Sequence, residues 1–393
     1  MTTVPASGAL PAAAPYRLKA AEIACGFLGG TVGSPPLLEP GSSDPIKALE
    51  QEIRPALENS PCLIMFSGGR DSSAVLAIAT RLARRESLPA PIPVTHVFPH
   101  SIDADEVASQ EVVVGYLQAP DWVRIAVTDE RDVLGPRALE GLHRYGLVYP
   151  PTAHSAADVY AMAAGGTVLT GEGGDEVLGP MRGTPLANLR YRRGATDFAT
   201  IVAAAQAVAP RLVRRMVETR QFARVAPPWL RPQLRAAFIR EIADDAADEP
   251  LSYADAVRRL PYGRSAAIGL AGLSLVAAGK SARLAHPLLA QPFLDALARR
   301  RGRLGYPTRT AAMTELFGDV LPAAILSRRT KATFNTAAIN EHSRRFAGEW
   351  DGSGLDQALV DVDVLRAEWL SLKPNPGCLL ALQAAWLATE GSA

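Results

Sequence analysis

Cysteine and histidine are scarce in this sequence. Its 393 residues include three cysteines (Cys25, Cys62 and Cys378) and six histidines, and no two cysteines form a CxxC pair. Disulfide-stabilised secreted domains are rich in cysteine, and structural zinc sites place cysteine or histidine at short, regular spacings. The composition therefore argues against a disulfide framework and against a zinc site, and it favours a reducing, cytoplasmic location.

The chain also lacks a net charge and a long hydrophobic run. Lys and Arg total 41 against 40 Asp and Glu, for a formal charge of +1, whereas nucleic-acid-binding domains normally carry a basic excess. The longest apolar run, 266–279, is shorter than the ~20 residues of a membrane-spanning helix, and no signal peptide is recognisable. We expect no nucleic-acid partner and no membrane segment, and we predict a buried helix at 266–279.

Short apolar runs alternate with amphipathic segments in the first half of the chain. The pattern predicts an α/β fold, a Rossmann-like parallel sheet with helices on both faces. Strands are expected at 63–66, 93–98, 122–127 and 167–170, and helices at 45–58, 105–117, 133–144 and 155–164, with one more after residue 70. The acidic group Asp103, Asp105 and Glu106 is expected to cap the helix that follows it.

The composition divides the chain into three parts. Residues 1–44, rich in Ala, Gly, Pro and Ser, are interpreted as an N-terminal extension that ends in a linker. Residues 45–180 are predicted to form a nucleotide-binding α/β core. Strand signals almost vanish after about residue 180, so 181–393 are predicted to be a mostly helical portion of the same unit.

One motif follows the first predicted strand directly. Its glycines allow a tight turn whose amides approach an anion, and the next helix points its positive end at the same place. Asp71 would repel bare phosphate, so it indicates a bound cation such as Mg²⁺. The segment lacks the GxxxxGK[ST] pattern of a Walker loop, and the alternative is an ordinary capped turn. Its candidate ATP-binding residues are Ser67, Gly68, Gly69, Asp71, Ser72 and Ser73.

A second motif, TGEGGDE at 170–176, follows the last predicted strand. Three glycines among three carboxylates suit a site where the backbone approaches a ligand and acids reach a metal or a proton; the alternative is a solvated acidic turn. Ligands of open parallel sheets bind beyond the carboxyl ends of the strands. If the two strands are neighbours, Asp71 and Asp175 face one crevice and hold one magnesium ion.

A third element, RRTKATF at 328–334, is basic and follows a helix break at Leu321-Pro322. A lysine directed into an ATP site can neutralise charge that grows as pyrophosphate leaves. Basic residues after a helix are also common on solvated surfaces. Lys331 is therefore a candidate catalytic residue with a plain surface alternative.

Together these motifs resemble a known family. SGGRDSS resembles the SGGxDSS signature of the ATP pyrophosphatases, and its combination with GEGGDE, PFLD (292–295) and Arg329-x-Lys331-x-x-Phe334 resembles the synthetase domain of asparagine synthetase. β-Lactam synthetases and lasso-peptide cyclases share that domain. The resemblance covers about residue 45 to the C-terminus.

The resemblance implies roles for individual residues. The SGGRDSS residues would bind ATP and pyrophosphate, and Asp71 and Asp175 would hold Mg²⁺. Val97 and Gly171 would contact the adenosine part. Glu172 would manage the proton of the attacking amine, and Lys331 would stabilise the transition state.

The sequence departs from the family pattern in two places. It offers no counterpart of the glutamine-hydrolysing domain that asparagine synthetases carry at their N-terminus, so we expect no ammonia release from glutamine. Segment 282–291, ARLAHPLLAQ, lacks the GVEAR-type sequence on the substrate side of asparagine synthetases and is similar to lasso-peptide cyclases there. Glu172 also departs from the β-lactam synthetases, which carry tyrosine at that place.

The combined expectation is an AMP-forming amide ligase that uses ATP and Mg²⁺. Its partners would be a small-molecule or peptide carboxylate and an amine nucleophile, with delivery by a partner protein as a further option. Three alternatives stay open: a macrolactam cyclase of the lasso-peptide type, an RNA-modifying ATP pyrophosphatase, and a non-catalytic nucleotide-binding homologue.

Overall fold

The computed structural model describes residues 17–98, 106–128, 130–191, 197–328 and 338–390. Five short strands form one sheet: β1 (Cys62–Met65), β2 (Ile92–Val97), β3 (Val123–Ala126), β4 (Thr167–Leu169) and β5 (Arg283–Ala285). Their order across the sheet is β3-β2-β1-β4-β5, and every neighbouring pair is parallel. The predicted Rossmann-like parallel sheet is thereby confirmed.

The strand order reverses at the centre of the sheet. The chain runs outward from β1 to β2 and β3, then returns to place β4 on the other side of β1, where Leu63 is in register with Val168. All three residues of β4 and three of the four in β1 are buried, because helices cover both faces of these strands. The gap between the carboxyl ends of β1 and β4 is the point where open α/β sheets bind ligands.

Helices account for most of the remaining described chain. They are α1 (Ala20–Cys25), α2 (Pro45–Glu58), α3 (Arg70–Glu86), α4 (Val107–Leu117), α5 (Pro136–Tyr145), α6 (Ala157–Met162), α7 (Gly174–Val177), α8 (Thr184–Tyr191), α9 (Phe198–Val208), α10 (Arg211–Val225), α11 (Pro232–Ala247), α12 (Tyr253–Arg259), α13 (Arg264–Ala278), α14 (Gln291–Arg301), α15 (Arg309–Phe317), α16 (Ala323–Leu326), α17 (Glu341–Glu349), α18 (Val362–Leu370) and α19 (Leu379–Glu390). Single 3₁₀ turns lie at Ala153–Ala156, Leu260–Tyr262, Pro287–Leu289 and Pro376–Cys378.

Two apolar layers enclose the sheet. On one face α2, α3 and α14 pack together, and the inward residues of α3, such as Val75, Ile78 and Leu82, are fully buried. On the other face α6 and α13 bring Tyr160 and Val276 against Leu63 and Val168. Helices therefore cover both faces, as predicted, and a separate apolar cluster around Trp229 and Trp369 holds the C-terminal helices together.

The apolar run 266–279 forms most of α13, which agrees with the predicted helix. Gly272 lies so close to the backbone of Tyr149 that an added Cβ would come 2.0 Å from its carbonyl oxygen. Tight packing against the 148–150 loop thus explains the small residues of this helix. No helix within the described ranges has both the length and the apolar character that a bilayer crossing requires.

The C-terminal half contributes one strand that the pattern did not predict. β5 is only three residues long, lies at the sheet edge and is half-exposed. An edge strand that short has no continuous apolar run, and Pro287 follows it closely. The prediction of a mostly helical C-terminal portion is confirmed, and β5 is the strand that it contributes to the sheet.

The N-terminal segment packs onto the body of the protein. α1 contacts α19 and buries Ala24 and Cys25, and the carbonyl of Ala24 accepts a hydrogen bond of 2.8 Å from the Trp229 indole. Residues 33–44 contain neither helix nor strand, and Arg299 holds them by donating to the carbonyls of Glu39 and Ser42. The segment interpreted as a linker is thus fixed against α14.

Candidate active site

The two glycine-rich motifs lie side by side. SGGRDSS leads from β1 into α3, and GEGGDE leads from β4 into α7. Because β1 and β4 are parallel neighbours, both turns emerge at the same edge of the sheet, where the strand order reverses. The neighbouring position expected for these two strands is confirmed.

Glycine is required where the two turns touch. A Cβ at Gly171 would lie 2.5 Å from the Ser72 amide nitrogen, and one at Gly174 would lie 2.3 Å from the Asp71 Cγ. Real Cβ atoms do not approach other heavy atoms so closely, and the Ser72 backbone offers no room to shift. Gly68 adopts a φ of 85°, in the left-handed region that glycine enters without strain. The glycines thus serve the contact between the turns as well as any bound ligand.

Asp71 and Asp175 converge on one cationic group. Arg309, the first residue of α15, donates to Asp71 Oδ2 at 2.5 Å and also contacts Asp175 Oδ1. Asp71 lies in the first turn of α3 and Asp175 in the first turn of α7. Both carboxylates therefore face one crevice, and a positive charge already occupies the space between them.

Serine hydroxyls organise the first turn. The Ser67 Oγ accepts a hydrogen bond from the Gly69 amide at 3.2 Å and lies 3.2 Å from the Ser72 Oγ. The Ser72 Oγ in turn accepts from the Ser67 amide at 3.3 Å. This arrangement fixes the turn at the N-terminus of α3, whose backbone amides and positive dipole end favour an anion.

A cavity of about 580 Å³ opens beyond these turns, within the range of 300–1,000 Å³ typical of small-molecule sites. Its charged side chains come from the two motifs, from α15, from the residue before α4, from the loop before α5 and from the segment after α16. Its neutral wall comes from the segment between β3 and β4, from α13, from the end of β1 and from the residues that follow β4 and β5. The wall residues are Met65, Pro150, Thr152, Ala153, Ser155, Ala156, Tyr160, Thr170, Leu273 and His286.

The cavity gathers most of the residues predicted for the site. Those that line it are Ser67, Gly69, Asp71, Ser72, Gly171, Glu172 and Asp175. Gly68, Ser73 and Val97 lie outside this lining. Ser73 is fully buried in α3, and Val97 is half-buried at the end of β2. Lys331 falls in 329–337, outside the described residues, so its role stays a prediction.

The donor set is compatible with magnesium held together with a nucleotide. No group of three His, Cys, Asp or Glu side chains in the described part of the chain forms a metal site by itself. Mg²⁺, however, is commonly held by one or two carboxylates together with substrate phosphates and water. Asp71 and Asp175 supply two carboxylates at a place that already accepts a cation, so the residues present fit a magnesium–triphosphate.

Two charged pairs in the cavity were missed at the sequence level. Arg309 carries no motif signal of its own. Glu106 is buried and forms an ion pair of 3.1 Å with Arg328, which also donates to the Gly68 carbonyl at 3.3 Å. The Glu106 side chain makes no capping hydrogen bond to α4, because Arg328 binds this carboxylate, so the capping expectation is wrong for Glu106. Asp103 and Asp105 lie outside the described residues.

His286 is the polar group of the neutral wall. Its Nδ1 lies 2.7 Å from the Thr170 Oγ1, which accepts a hydrogen bond from the Glu172 amide at 3.2 Å. Either atom of the Thr170–His286 pair can be the donor, according to the imidazole tautomer. Burial lowers the pKa of His286 to about 4, so it is neutral at pH 7. The side chain lines the cavity, and its Nε2 has no protein partner.

Comparison with known proteins identifies a family. The sequence model for asparagine synthase matches residues 47–375. The matched segment contains the whole sheet, both glycine-rich turns, α15 with Arg309, and Arg328. A search of curated proteins found no match.

Proposed function

The chain belongs to the asparagine synthase family of ATP-dependent amide-forming ligases, and from this premise we propose that it activates a substrate carboxylate as an acyl-adenylate. AMP and pyrophosphate would be the nucleotide products. An amine would then take the acyl group and form the amide. ATP and Mg²⁺ are the cofactors that this reaction requires.

The convergence of two carboxylates on one cation position is the main support for this proposal. Two carboxylates from separate turns, Asp71 and Asp175, meet at a single cation position beside the serine-rich N-terminus of α3. A triphosphate bound there would find amide and hydroxyl donors on one side and the two acids on the other. A bound Mg²⁺ would screen the phosphate charge that grows as pyrophosphate leaves.

The first half-reaction depends on positioning. The turn 67–72 would hold the phosphates so that the α-phosphorus faces the neutral wall, from which the substrate carboxylate approaches. Arg70, Arg309 and Arg328 also line the cavity and supply positive charge on its phosphate side. Lys331 stays the candidate for stabilising the leaving pyrophosphate.

The second half-reaction needs a base for the amine. Glu172 is exposed, lines the cavity and follows β4 directly, so it is our candidate for accepting the amine proton. We propose that neutral His286 carries its proton on Nε2, which has no protein partner, and that this N–H would donate to the acyl carbonyl oxygen. A neutral donor binds the carbonyl oxygen without adding a full positive charge, which would also attract anions other than the substrate.

The neutral wall favours a peptide or another acyl substrate over a free amino acid. A free amino acid would bring an ammonium and a second carboxylate, each of which needs a charged partner when desolvated. Pro150, Ala153, Ala156 and Leu273 offer none, and Arg131, which lines the cavity from the loop before α5, could pair with a carboxylate but not with an ammonium. We therefore propose a role in peptide or natural-product maturation. A macrolactam cyclase is the alternative within that role, and it differs only in taking both the carboxylate and the amine from one peptide.

Product analysis tests the proposal. The protein is incubated with MgATP, hydroxylamine and three carboxylate sets: free amino acids, N-acetylated amino acids and linear peptides. We expect AMP and pyrophosphate in equal amounts, with hydroxamates formed from the peptide set because hydroxylamine traps acyl-adenylates. Release of ADP, or of no nucleotide product with any set, contradicts the proposal, and the latter result supports a non-catalytic homologue.

Incubation with a linear peptide and no hydroxylamine distinguishes a macrolactam cyclase from a ligase that joins two molecules. A cyclase converts one peptide into a product that has lost one water and needs no second reactant. A ligase between two molecules yields product only when a separate amine is added. Either outcome with AMP release keeps the adenylation proposal intact.

A further inference from the structure

Arg309 bridges the carboxylates of the two turns. Its side chain is 18% exposed, and those of Asp71 and Asp175 are 15% and 33% exposed. Arginine suits such a bridge because its planar guanidinium presents several donors at once. The contact therefore lies largely out of solvent, at the place where the magnesium ion is proposed to bind.

The helix that carries Arg309 is anchored in the core. Ala312, Met313 and Phe317 of α15 are fully buried, and the hydroxyl of Thr308 caps the helix by accepting from the Ala311 amide at 3.0 Å. Movement of the whole helix would expose these side chains. The long side chain of Arg309, at the first position of the helix, can change its partners without such movement.

Positive charge is already crowded around Arg309. Arg70 lies close by, and its guanidinium approaches the Thr310 hydroxyl at 3.4 Å. Burial, and then the charge of Arg309, lower the pKa of Arg70. A divalent cation placed between Asp71 and Asp175 would meet the guanidinium at the same oxygens and would be repelled by it. The two cations are therefore alternatives at this position.

We propose that Arg309 is an exchangeable counterion: it holds Asp71 and Asp175 together in the ligand-free protein and transfers to the phosphates when magnesium–ATP binds. The proposal rests on the ATP site of the proposed function. It follows that free divalent cation binds poorly, because it must displace the guanidinium. Nucleotide and metal bind well together, because the phosphates receive the displaced charge.

This exchange makes two opposite predictions for one variant. Arg309→Gln removes the competitor of the metal, so Mn²⁺ alone should bind roughly tenfold more tightly than to the wild type. The same change removes a cation that contacts the phosphates, so the magnesium complex of α,β-methylene-ATP should bind roughly tenfold more weakly. A purely structural role for Arg309 would weaken both, because the two turns would separate.

The experiment uses the full chain without any acyl substrate. Free Mn²⁺ is measured by electron paramagnetic resonance, and α,β-methylene-ATP binding by calorimetry, for wild type, Arg309→Gln and Arg309→Lys. Arg300→Gln is the matched control, because Arg300 also pairs with one acid, Glu315 at 2.8 Å, on the solvated side of α14. We expect wild-type values for the control, and Mn²⁺ binding close to wild type for the lysine variant, which keeps the competing charge.

Several results overturn the exchange. Unchanged or weaker Mn²⁺ binding by Arg309→Gln does so, as does unchanged nucleotide binding. If the glutamine variant does not fold, Arg309→Lys carries the test. Lysine keeps the exchangeable charge but not the guanidinium bridge, so weaker binding of both Mn²⁺ and nucleotide than in Arg300→Gln then counts against the exchange. Failure of the adenylation assay leaves this test unaffected, since neither probe is cleaved. If the protein forms an acyl-adenylate but Arg309→Gln does not bind Mn²⁺ more tightly and nucleotide more weakly, the exchange is wrong and the proposed function stands.

Discussion

Replacing Asp71 with asparagine is expected to lower pyrophosphate release on the order of 10³-fold. Asparagine has nearly the same shape, so the turn into α3 should form, but it lacks the charge that holds a metal against the phosphates. Asp175→Asn should act in the same direction, because its carboxylate faces the same cation position. Initial-rate measurement of pyrophosphate at saturating MgATP checks both variants.

Asp295 supplies the matched control for Asp71. Both carboxylates are 15% exposed and both pair with an arginine; Asp295 receives the Arg258 Nε at 2.6 Å. Asp295, however, lies in α14 and is absent from the cavity lining. Asp295→Asn should lower the melting temperature, because a buried ion pair is broken, and leave the turnover of the folded fraction unchanged. If the two variants lose activity equally at equal folded fraction, Asp71 acts through stability and not through the metal.

Replacing Glu172 with glutamine is expected to separate the two half-reactions. Acyl-adenylate and pyrophosphate should still form in the first turnover, because the metal and phosphate groups are intact. Amide formation should slow by about 10²- to 10⁴-fold, the range for loss of a general base. Rapid-quench analysis of a single turnover would show a burst of pyrophosphate followed by slow appearance of AMP and amide.

Glu176 provides the control for this experiment. It lies four residues after Glu172, in α7, is also exposed and also lines the cavity, so Glu176→Gln changes the local charge by the same amount. Only Glu172→Gln should stall the second step. Equal stalling by both variants would indicate a general effect of negative charge, and loss of the pyrophosphate burst in Glu172→Gln would move this residue into the first step.

Much of the fold is readable from local patterns. The runs at 63–66 and 167–170 are apolar and end at glycines, which is the signature of buried parallel strands. The observed strands Cys62–Met65 and Thr167–Leu169 agree with it to within a residue. β5 was missed, because a three-residue edge strand takes its conformation from backbone pairing with β4, not from its own side chains.

The candidate site shows the same division between local and distant information. The two glycine-rich turns were identified because their side chains and glycines lie within seven consecutive residues each. Arg309 was not, because it enters the site from a helix 238 positions after Asp71, and nothing near it in the chain is unusual. From sequence alone, an arginine at the first position of a helix is predicted to be solvated. Only the tertiary structure shows that Arg309 contacts two carboxylates.

For His286, the location was predicted from the sequence but the protonation state was not. The segment 282–291 was expected on the substrate side from the resemblance, and His286 does line the cavity. Its neutral state was not foreseeable, since it depends on burial beneath Thr170 and the sheet edge. The resemblance therefore predicted where the segment lies, whereas tertiary packing determines the neutral state of His286.

Anomalous scattering from Mn²⁺, in crystals grown with α,β-methylene-ATP, tests most directly whether one ion is shared by both turns. We expect a single strong peak between the carboxylates of Asp71 and Asp175. The ion should contact an oxygen of each carboxylate and the phosphates, and Arg309 should point away from both acids. A nucleotide bound elsewhere, or a peak in contact with only one of the two acids while Arg309 keeps its present partners, would contradict it.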